Sequence, residues 1–196
     1  MITLSAVRRA LRDHHPRALD PPPPDVLRAA VALILLDAPP PEGLEALFIR
    51  RAERAGDPWS GQVALPGGRH QPGDGDLLVT AMRETQEETG VDLAGAERLG
   101  TLDDLHPRTP TLPPLVVRPF VFALTLRPVV LRSAEVQRAF WLPLERLSLP
   151  GVRRDVALVV GGVVRTFPAY SVDGELIWGL TERMLTPFLD LVSGEL

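Results

Sequence analysis

A glycine-rich turn leads directly into three closely spaced glutamates, and no other feature constrains the fold of this chain as strongly. The pair Gly67-Gly68 opens the turn, and Glu84, Glu87 and Glu88 follow it. At about 100° per residue, the pattern from Leu77 to Thr89 predicts a helix. We expect one face, apolar with threonines, to pack, and the opposite face to present the three carboxylates.

Three like charges this close on a helix repel each other, so we expect a partner that compensates them. Hard divalent cations such as Mg²⁺ prefer oxygen ligands and bind through a few carboxylates together with substrate phosphates. The cluster therefore predicts a phosphate-handling metal site, with Arg83 pairing with one carboxylate and fixing its rotamer. A solvated helical face is the alternative interpretation, and the flanking glycine and arginine pattern disfavours it.

The same residues resemble the signature of the Nudix hydrolases, in which a glycine and an early acid precede Arg-Glu and a Glu-Glu pair. The second half, from Arg83 to Val91, follows the signature, with Thr85 at an apolar position. In the first half, Asp74 stands where the family has glutamate, and eight residues instead of seven separate it from Arg83. Asp74 and Asp76 are also candidates for helix N-caps.

The resemblance implies an α/β fold, a Nudix-type α/β/α sandwich with a mixed sheet, and metal-dependent hydrolysis of a nucleoside diphosphate linked to another group. It implies that Glu84, Glu87 and Glu88 hold Mg²⁺ or Mn²⁺ together with the carbonyl of Gly68. A general base must take the proton of the attacking water. Glu84 and Glu135 are the two candidates for that base.

Further segments resemble the branch of this family that cleaves coenzyme A: Gly61 to Gly68, Arg118 to Val121, Glu135 to Leu144 and Ile177 to Thr181. The favoured substrate is therefore coenzyme A or acyl-CoA, giving 3′,5′-ADP and (acyl-)phosphopantetheine. A broader pyrophosphatase acting on ADP-ribose, NADH or dinucleotides is an alternative. A nucleotide-binding module without catalysis is a third interpretation, which the three glutamates disfavour.

Three residues outside the helix are candidates for binding the substrate. Arg69 and Arg108 carry guanidinium groups that match phosphate oxygens, although surface solvation would explain them equally well. Trp59 lies in a loop rich in glycine and proline, where it could stack on adenine or simply pack.

Composition bounds the class of protein. A chain of 196 residues with 45% apolar content can bury one sizeable core. We expect an N-terminal helix and proline-rich connector over residues 1–24 and a single hydrolase domain over residues 25–196. The absence of cysteine excludes disulfides and thiolate zinc sites.

Charge and hydropathy bear on partners and location. A net charge of −4 argues against nucleic-acid binding, and no apolar stretch is long enough to span a bilayer. We therefore expect a cytoplasmic protein whose partner is a small nucleotide substrate, with no nucleic acid and no membrane. A monomer and a homodimer both stay open.

Periodicity predicts the remaining elements. Helices are expected at the two ends of the chain, from Leu4 to Arg12 and from Gly179 to Leu191. Strands are expected between them, from Ala29 to Leu36, Leu44 to Arg50, Ala96 to Leu102, Leu115 to Leu126 and Ala139 to Pro143, with a hairpin from Val156 to Val164.

Overall fold

The computed structural model describes residues 2–19, 26–57, 59–107 and 114–194. Over these residues the helices are α1 Leu4–Asp13, α2 Leu77–Thr89, α3 Leu144–Leu147 and α4 Leu180–Ser193. The strands are β1 Leu27–Asp37, β2 Leu44–Arg51, β3 Val63–Ala64, β4 Gly67–Arg69, β5 Glu97–Thr101, β6 Leu115–Leu124, β7 Val136–Pro143, β8 Arg153–Val160, β9 Val163–Val172 and β10 Glu175–Trp178.

The main sheet is mixed and is built around β1. This strand pairs in parallel with β6 and antiparallel with β2 and β4. Strand β5 extends the sheet beyond β6, while β3 and β7 both pair with β2. A separate antiparallel sheet contains β8, β9 and β10 in the order β10-β9-β8.

Alternating side chains of β1 supply the two halves of the hydrophobic core, as the two-residue period of a strand requires. Leu33 and Leu35 point to the side that carries α1 and α4, whereas Ala32 and Ile34 point to the side that carries α2. The sheet thus lies between helical layers, which confirms the predicted α/β/α sandwich.

Helix α1 packs into the core from the N-terminal end of the chain. Thr3 caps the helix by accepting the N–H of Ala6, and Val7 and Leu11 are buried in the same cluster as residues of α4. The following segment is tied to the loop after β5, because Arg17 donates to the carboxylate of Asp103. The predicted proline-rich connector and its boundary at residues 24 and 25 lie outside the described residues.

The long elements lie where the sequence predicts them, and α2 has the predicted bounds. The differences are at the ends of elements, and the largest are that β7 begins at Val136, that β8 begins at Arg153 and that β9 continues to Val172. Sequence patterns did not predict β3, β4, β10 or α3, because two to four residues carry too little periodicity. No helix among the described residues combines the length and the hydropathy that crossing a membrane requires.

Candidate active site

Helix α2 is fixed at both ends and along its packed face. The carboxylate of Asp76 accepts the N–H of Val79 at 2.8 Å, so Asp76 is the N-cap, and Gly90 ends the helix in the left-handed conformation. The buried hydroxyls of Thr85 and Thr89 donate to backbone carbonyls within the helix. The packed face therefore leaves no threonine hydroxyl without a partner, as burial requires.

The three glutamates of α2 occupy three different environments. Glu88 is 3% exposed, the side chain of Glu84 is 15% exposed, and that of Glu87 is 59% exposed. The expectation of a solvent-facing row of three carboxylates is therefore wrong for Glu88. At about 100° per residue, Glu88 lies between the packed and polar faces, and strand β4 covers it.

The two glycines of β4 allow the backbone to approach these carboxylates closely. The N–H of Gly67 donates to Oε2 of Glu88 at an N···O distance of 2.9 Å. A Cβ at Gly67 would lie 2.3 Å from the carbonyl oxygen of Ala30, and a Cβ at Gly68 would lie 2.4 Å from the carboxylate of Glu84. Only glycine fits at position 67, whereas a side chain at position 68 would have to displace the carboxylate of Glu84.

Arg83 connects the helix to the turn that precedes it. Its guanidinium donates to both carboxylate oxygens of Asp74, with Nε–Oδ1 2.6 Å and Nη2–Oδ2 3.0 Å. It also pairs with Glu84 at 2.9 Å and with Glu87 at 3.0 Å. Arg83 thus pairs with carboxylates as predicted, and the buried Asp74 anchors it despite the altered spacing in the sequence. Asp74 also accepts the N–H of Gln71, so it caps the short turn as well.

Burial and neighbouring positive charges have opposite effects on the pKa values of the carboxyl groups in this cluster. The hydrogen bond from Arg83 holds the pKa of Asp74 well below its usual range. Burial raises the pKa of Glu88 to about 8, against the opposing effects of the Gly67 N–H and the Arg51 guanidinium. Burial likewise raises the pKa of Glu84, while Arg83 opposes the change.

A cavity of about 570 Å³ lies beside the helix and brings several predicted residues together. Glu84, Glu88 and Glu135 contribute its carboxylates, and Gly67 and Gly68 line it from β4. Glu87 does not belong to the described residues that line this cavity. Another part of the lining is apolar and includes Ala29, Val31, Leu115, Val117, Leu180 and Met184.

Glu135 reaches the cavity from the loop before β7. Its carboxylate pairs with Arg54 at 3.0 Å, and both side chains are about half exposed. Its negative charge raises the pKa of both Glu84 and Glu88. The structure therefore places Glu135 with the helix carboxylates, which are distant from it in sequence.

Comparison with known proteins agrees with this architecture. A sequence model of the NUDIX domain matches residues 26–159, more than half of the chain. The chain belongs to the Nudix family. It is a Nudix hydrolase, an enzyme that acts on phosphoanhydride bonds.

A relative supports the Nudix assignment, and a solved structure shows the same fold. The human mitochondrial coenzyme A diphosphatase NUDT8 is 33% identical over 166 residues, covering 82% of this chain and 68% of that protein. An uncharacterized protein of Schizosaccharomyces pombe is 41% identical over 109 residues, covering 53% of this chain and only 33% of its own length. The crystal structure of a MutT/nudix family protein from Enterococcus faecalis has a TM-score of 0.59 at 20% identity, covering 97% of this chain and 70% of that one.

The donor set of this Nudix site suits a hard divalent cation, which Nudix hydrolases generally use. Two carboxylates, on Glu84 and Glu88, converge on one cavity beside the backbone of Gly68, and their mutual repulsion favours a cation between them. Among the described residues, no three His, Asp or Glu side chains lie close enough together to hold a metal ion by themselves. Mg²⁺ typically completes such an open set with water and substrate phosphates.

The predicted substrate-binding residues have different outcomes. Arg69 is exposed at the edge of the cavity, and its guanidinium has no ion pair with any described residue. Trp59 lines the cavity, packs against the core and has a buried indole nitrogen with no hydrogen-bond partner among the described residues. Arg108 lies outside the described residues.

Sequence reasoning missed two residues that join the loop of Trp59 to Glu88. Arg51 pairs with Asp57 at 2.9 Å and approaches Glu88 to 4.0 Å. Asp57 also accepts the N–H of Trp59. The only sequence signal was their position in the loop after a predicted strand, and pairing of these two residues with each other is not visible in a linear pattern.

Proposed function

We propose that this Nudix hydrolase cleaves the diphosphate of coenzyme A or acyl-CoA, giving 3′,5′-ADP and (acyl-)phosphopantetheine. The observation that carries this proposal is the cavity itself, whose lining combines carboxylates with apolar side chains. A diphosphate can bind at the polar side, and an uncharged pantetheine arm suits the apolar side. The human relative, which is named a coenzyme A diphosphatase, supports the same substrate.

We propose that Glu84, Glu87 and Glu88, with the carbonyl of Gly68, would hold Mg²⁺ or Mn²⁺. When bound, this cation would neutralise phosphate charge and lower the pKa of the attacking water. Glu84 and Glu88 line the cavity directly, whereas Glu87 is held by Arg83 on its exposed side. Glu87 would therefore need only a rotamer change to join the set, since most of its side chain is free of protein contacts.

Residues of the chain would perform the remaining steps. The water oxygen forms a bond to phosphorus, the bridging P–O bond breaks, and a carboxylate accepts the proton of the water. Glu84 and Glu135 are the candidates for that carboxylate because both line the cavity. Arg83 would hold Glu84 in place, while Arg69 would pair with a substrate phosphate.

Product analysis tests this proposal directly. The pure protein is incubated with Mg²⁺ or Mn²⁺ and with coenzyme A, acetyl-CoA, ADP-ribose, NADH, diadenosine polyphosphates or dNTPs, and the products are separated by mass. We expect metal-dependent release of 3′,5′-ADP from coenzyme A. Reactions in ¹⁸O-labelled water show which phosphorus is attacked, because the label appears in only one of the two products.

Two controls separate the outcomes. The protein treated with a chelator and the Glu88→Gln variant should both lose turnover. The first lacks the cation, and the second lacks one of its carboxylate ligands. Cleavage of ADP-ribose, NADH or dinucleotides without cleavage of coenzyme A would retain the hydrolase and reject the proposed substrate. No cleavage of any compound would favour a nucleotide-binding module.

A further inference from the structure

The loop before β7 is attached to the last turn of the glutamate helix. The final carbonyls of a helix have no hydrogen-bond partner within it. Two backbone N–H groups of this loop donate to two of these carbonyls. The N–H of Leu131 donates to the carbonyl of Thr89 at 2.8 Å, and the N–H of Ser133 donates to the carbonyl of Glu88 at 3.0 Å. The second bond joins the loop to the residue that carries the most buried carboxylate of the cavity.

Ser133 also holds the backbone of Glu135. Its hydroxyl accepts the N–H of Glu135 at 3.2 Å, and its carbonyl accepts the N–H of Val136 at 3.2 Å. The carbonyl of Glu135 accepts the N–H of Ala52, just after β2, at 2.8 Å. Both backbone groups of Glu135 are therefore bonded, and one of them is bonded to a residue that is itself attached to α2.

We propose that Ser133 is a positioning residue that sets the distance between Glu135 and the carboxylates of α2. One residue makes both connections: its backbone N–H binds Glu88 and its side chain binds Glu135. Glu84, Glu88 and Glu135 line one cavity, and small misplacements of catalytic groups are costly. This inference rests on the proposed catalytic role of Glu135 and does not depend on which substrate is cleaved.

The alternative is a purely local role, in which the hydroxyl of Ser133 only stabilises a turn. Hydroxyls that accept a backbone N–H two residues later are common in loops. A local role predicts that removing the hydroxyl changes stability and leaves the chemical step intact. A positioning role predicts a change in kcat that disappears once Glu135 has lost its function.

The first test is kinetic and uses whichever substrate the wild-type enzyme cleaves. We expect Ser133→Ala to lower kcat about fivefold with KM within about twofold, and Ser133→Thr, which keeps the hydroxyl, to retain the wild-type kcat. Thr3→Ala is the matched control, because Thr3 accepts the N–H of Ala6 over the same distance of 3.2 Å at the start of α1. We expect it to leave kcat unchanged.

A double-mutant cycle with Glu135→Gln shows whether Ser133 acts through Glu135. We expect Ser133→Ala to lower kcat in the wild-type background and to have no further effect beside Glu135→Gln. Equal losses in both backgrounds would overturn the proposal. So would full activity of Glu135→Gln, or a loss in Ser133→Thr as large as in Ser133→Ala.

Hydrogen exchange supplies a readout that requires no substrate. We expect the amide of Glu135 to exchange about tenfold faster in Ser133→Ala than in the wild type or in Ser133→Thr. Unchanged exchange would overturn the positioning role even if coenzyme A is cleaved. Conversely, failure to cleave coenzyme A would reject the proposed substrate and leave this measurement valid.

Discussion

Two glutamates of this protein are equally buried and differ completely in how they are satisfied. Glu88 and Glu182 are each 3% exposed. Glu182 accepts Nε and Nη2 of Arg153 at 3.0 and 2.9 Å and the hydroxyl of Thr186 at 2.8 Å. Glu88 accepts one backbone N–H, and the nearest guanidinium is 4.0 Å away.

The difference indicates what each carboxylate is for. A buried carboxylate that accepts several hydrogen bonds from protein side chains holds elements together. Glu182, whose three bonds all reach Oε1, joins α4 to β8 in this way. A buried carboxylate with few donors is costly to the folded state and is available to a ligand. Burial alone does not distinguish these two roles, whereas the number of donors does.

The largest expected effect is that of Glu88→Gln on turnover. We expect a loss on the order of 10³-fold, because the substitution removes a charged oxygen from the cation site. Kinetics with saturating Mg²⁺ or Mn²⁺ measures it. Full activity would contradict the proposed cation site, and Glu88 could then not be distinguished from Glu182 by function.

The same variant should not lose stability. The pKa of Glu88 is raised to about 8, so the metal-free native state binds a proton that the unfolded chain has released above about pH 4.5. Wild-type stability should therefore fall between about pH 5 and pH 8, and Glu88→Gln should lack this part of the decrease. Urea unfolding in the presence of a chelator measures both.

Glu182→Gln should show the reverse pattern. We expect unfolding to become easier by about 3 kcal/mol, since Arg153 and Thr186 lose a charged acceptor in a buried setting. The kcat of the remaining folded enzyme should stay within about threefold of the wild type. Urea unfolding and kinetics, measured in parallel on Glu88→Gln and Glu182→Gln, test this contrast. A stable but inactive Glu182→Gln variant would show that Glu182 serves catalysis and not stability.

Asp74→Asn tests whether the rule extends to a third buried acid. Asp74 is fully bonded to Arg83, and that contact holds its pKa well below the usual range. We expect a loss of about 2 kcal/mol at neutral pH, smaller than for Glu182 because Arg83 keeps two other carboxylates.

The pH dependence of this effect has a definite sign. A depressed native pKa contributes stability above the unfolded value near 3.9, and that stability disappears as the pH falls. The difference between wild type and Asp74→Asn should therefore shrink below about pH 4. Unfolding curves at neutral and acidic pH measure it, and a constant difference would show that the charge of Asp74 is not responsible.

Arg69→Ala has the smallest expected effect. Its guanidinium has no ion pair with a described residue, so its loss should leave stability unchanged. We expect KM to rise about tenfold with little change in kcat if Arg69 binds a substrate phosphate. Arg9→Ala, an exposed change on α1, is the matched control. Equal kinetics for both variants would exclude Arg69 from the binding site.

The sequence predicts the long elements of this fold well, for a physical reason. The sequence of helix α2 contains its own start and stop signals, with Asp76 as N-cap and Gly90 as C-cap. Strand β1 is apolar along most of its length because both of its faces are covered. Such signals are local and can be read from one chain.

The site is less predictable because its contacts join distant residues. The burial of Glu88 depends on β4, a strand of three residues with almost no sequence signal. The pairing of Arg51 with Asp57 requires the path of a loop. Eight residues separate Asp74 from Arg83 where the signature has seven, yet the carboxylate of Asp74 reaches Arg83, a contact that the spacing alone did not predict.

Helix α1 has a practical consequence for how this protein is dissected. The matched family region begins at residue 26, yet Val7 and Leu11 of α1 are buried in the core beside Phe188 of α4. A chain trimmed to the family boundary would uncover apolar surface that the helix now covers, and exposed patches of this kind promote aggregation. An expressed catalytic unit should therefore include α1, because this helix belongs to the hydrophobic core although it lies outside the matched family region.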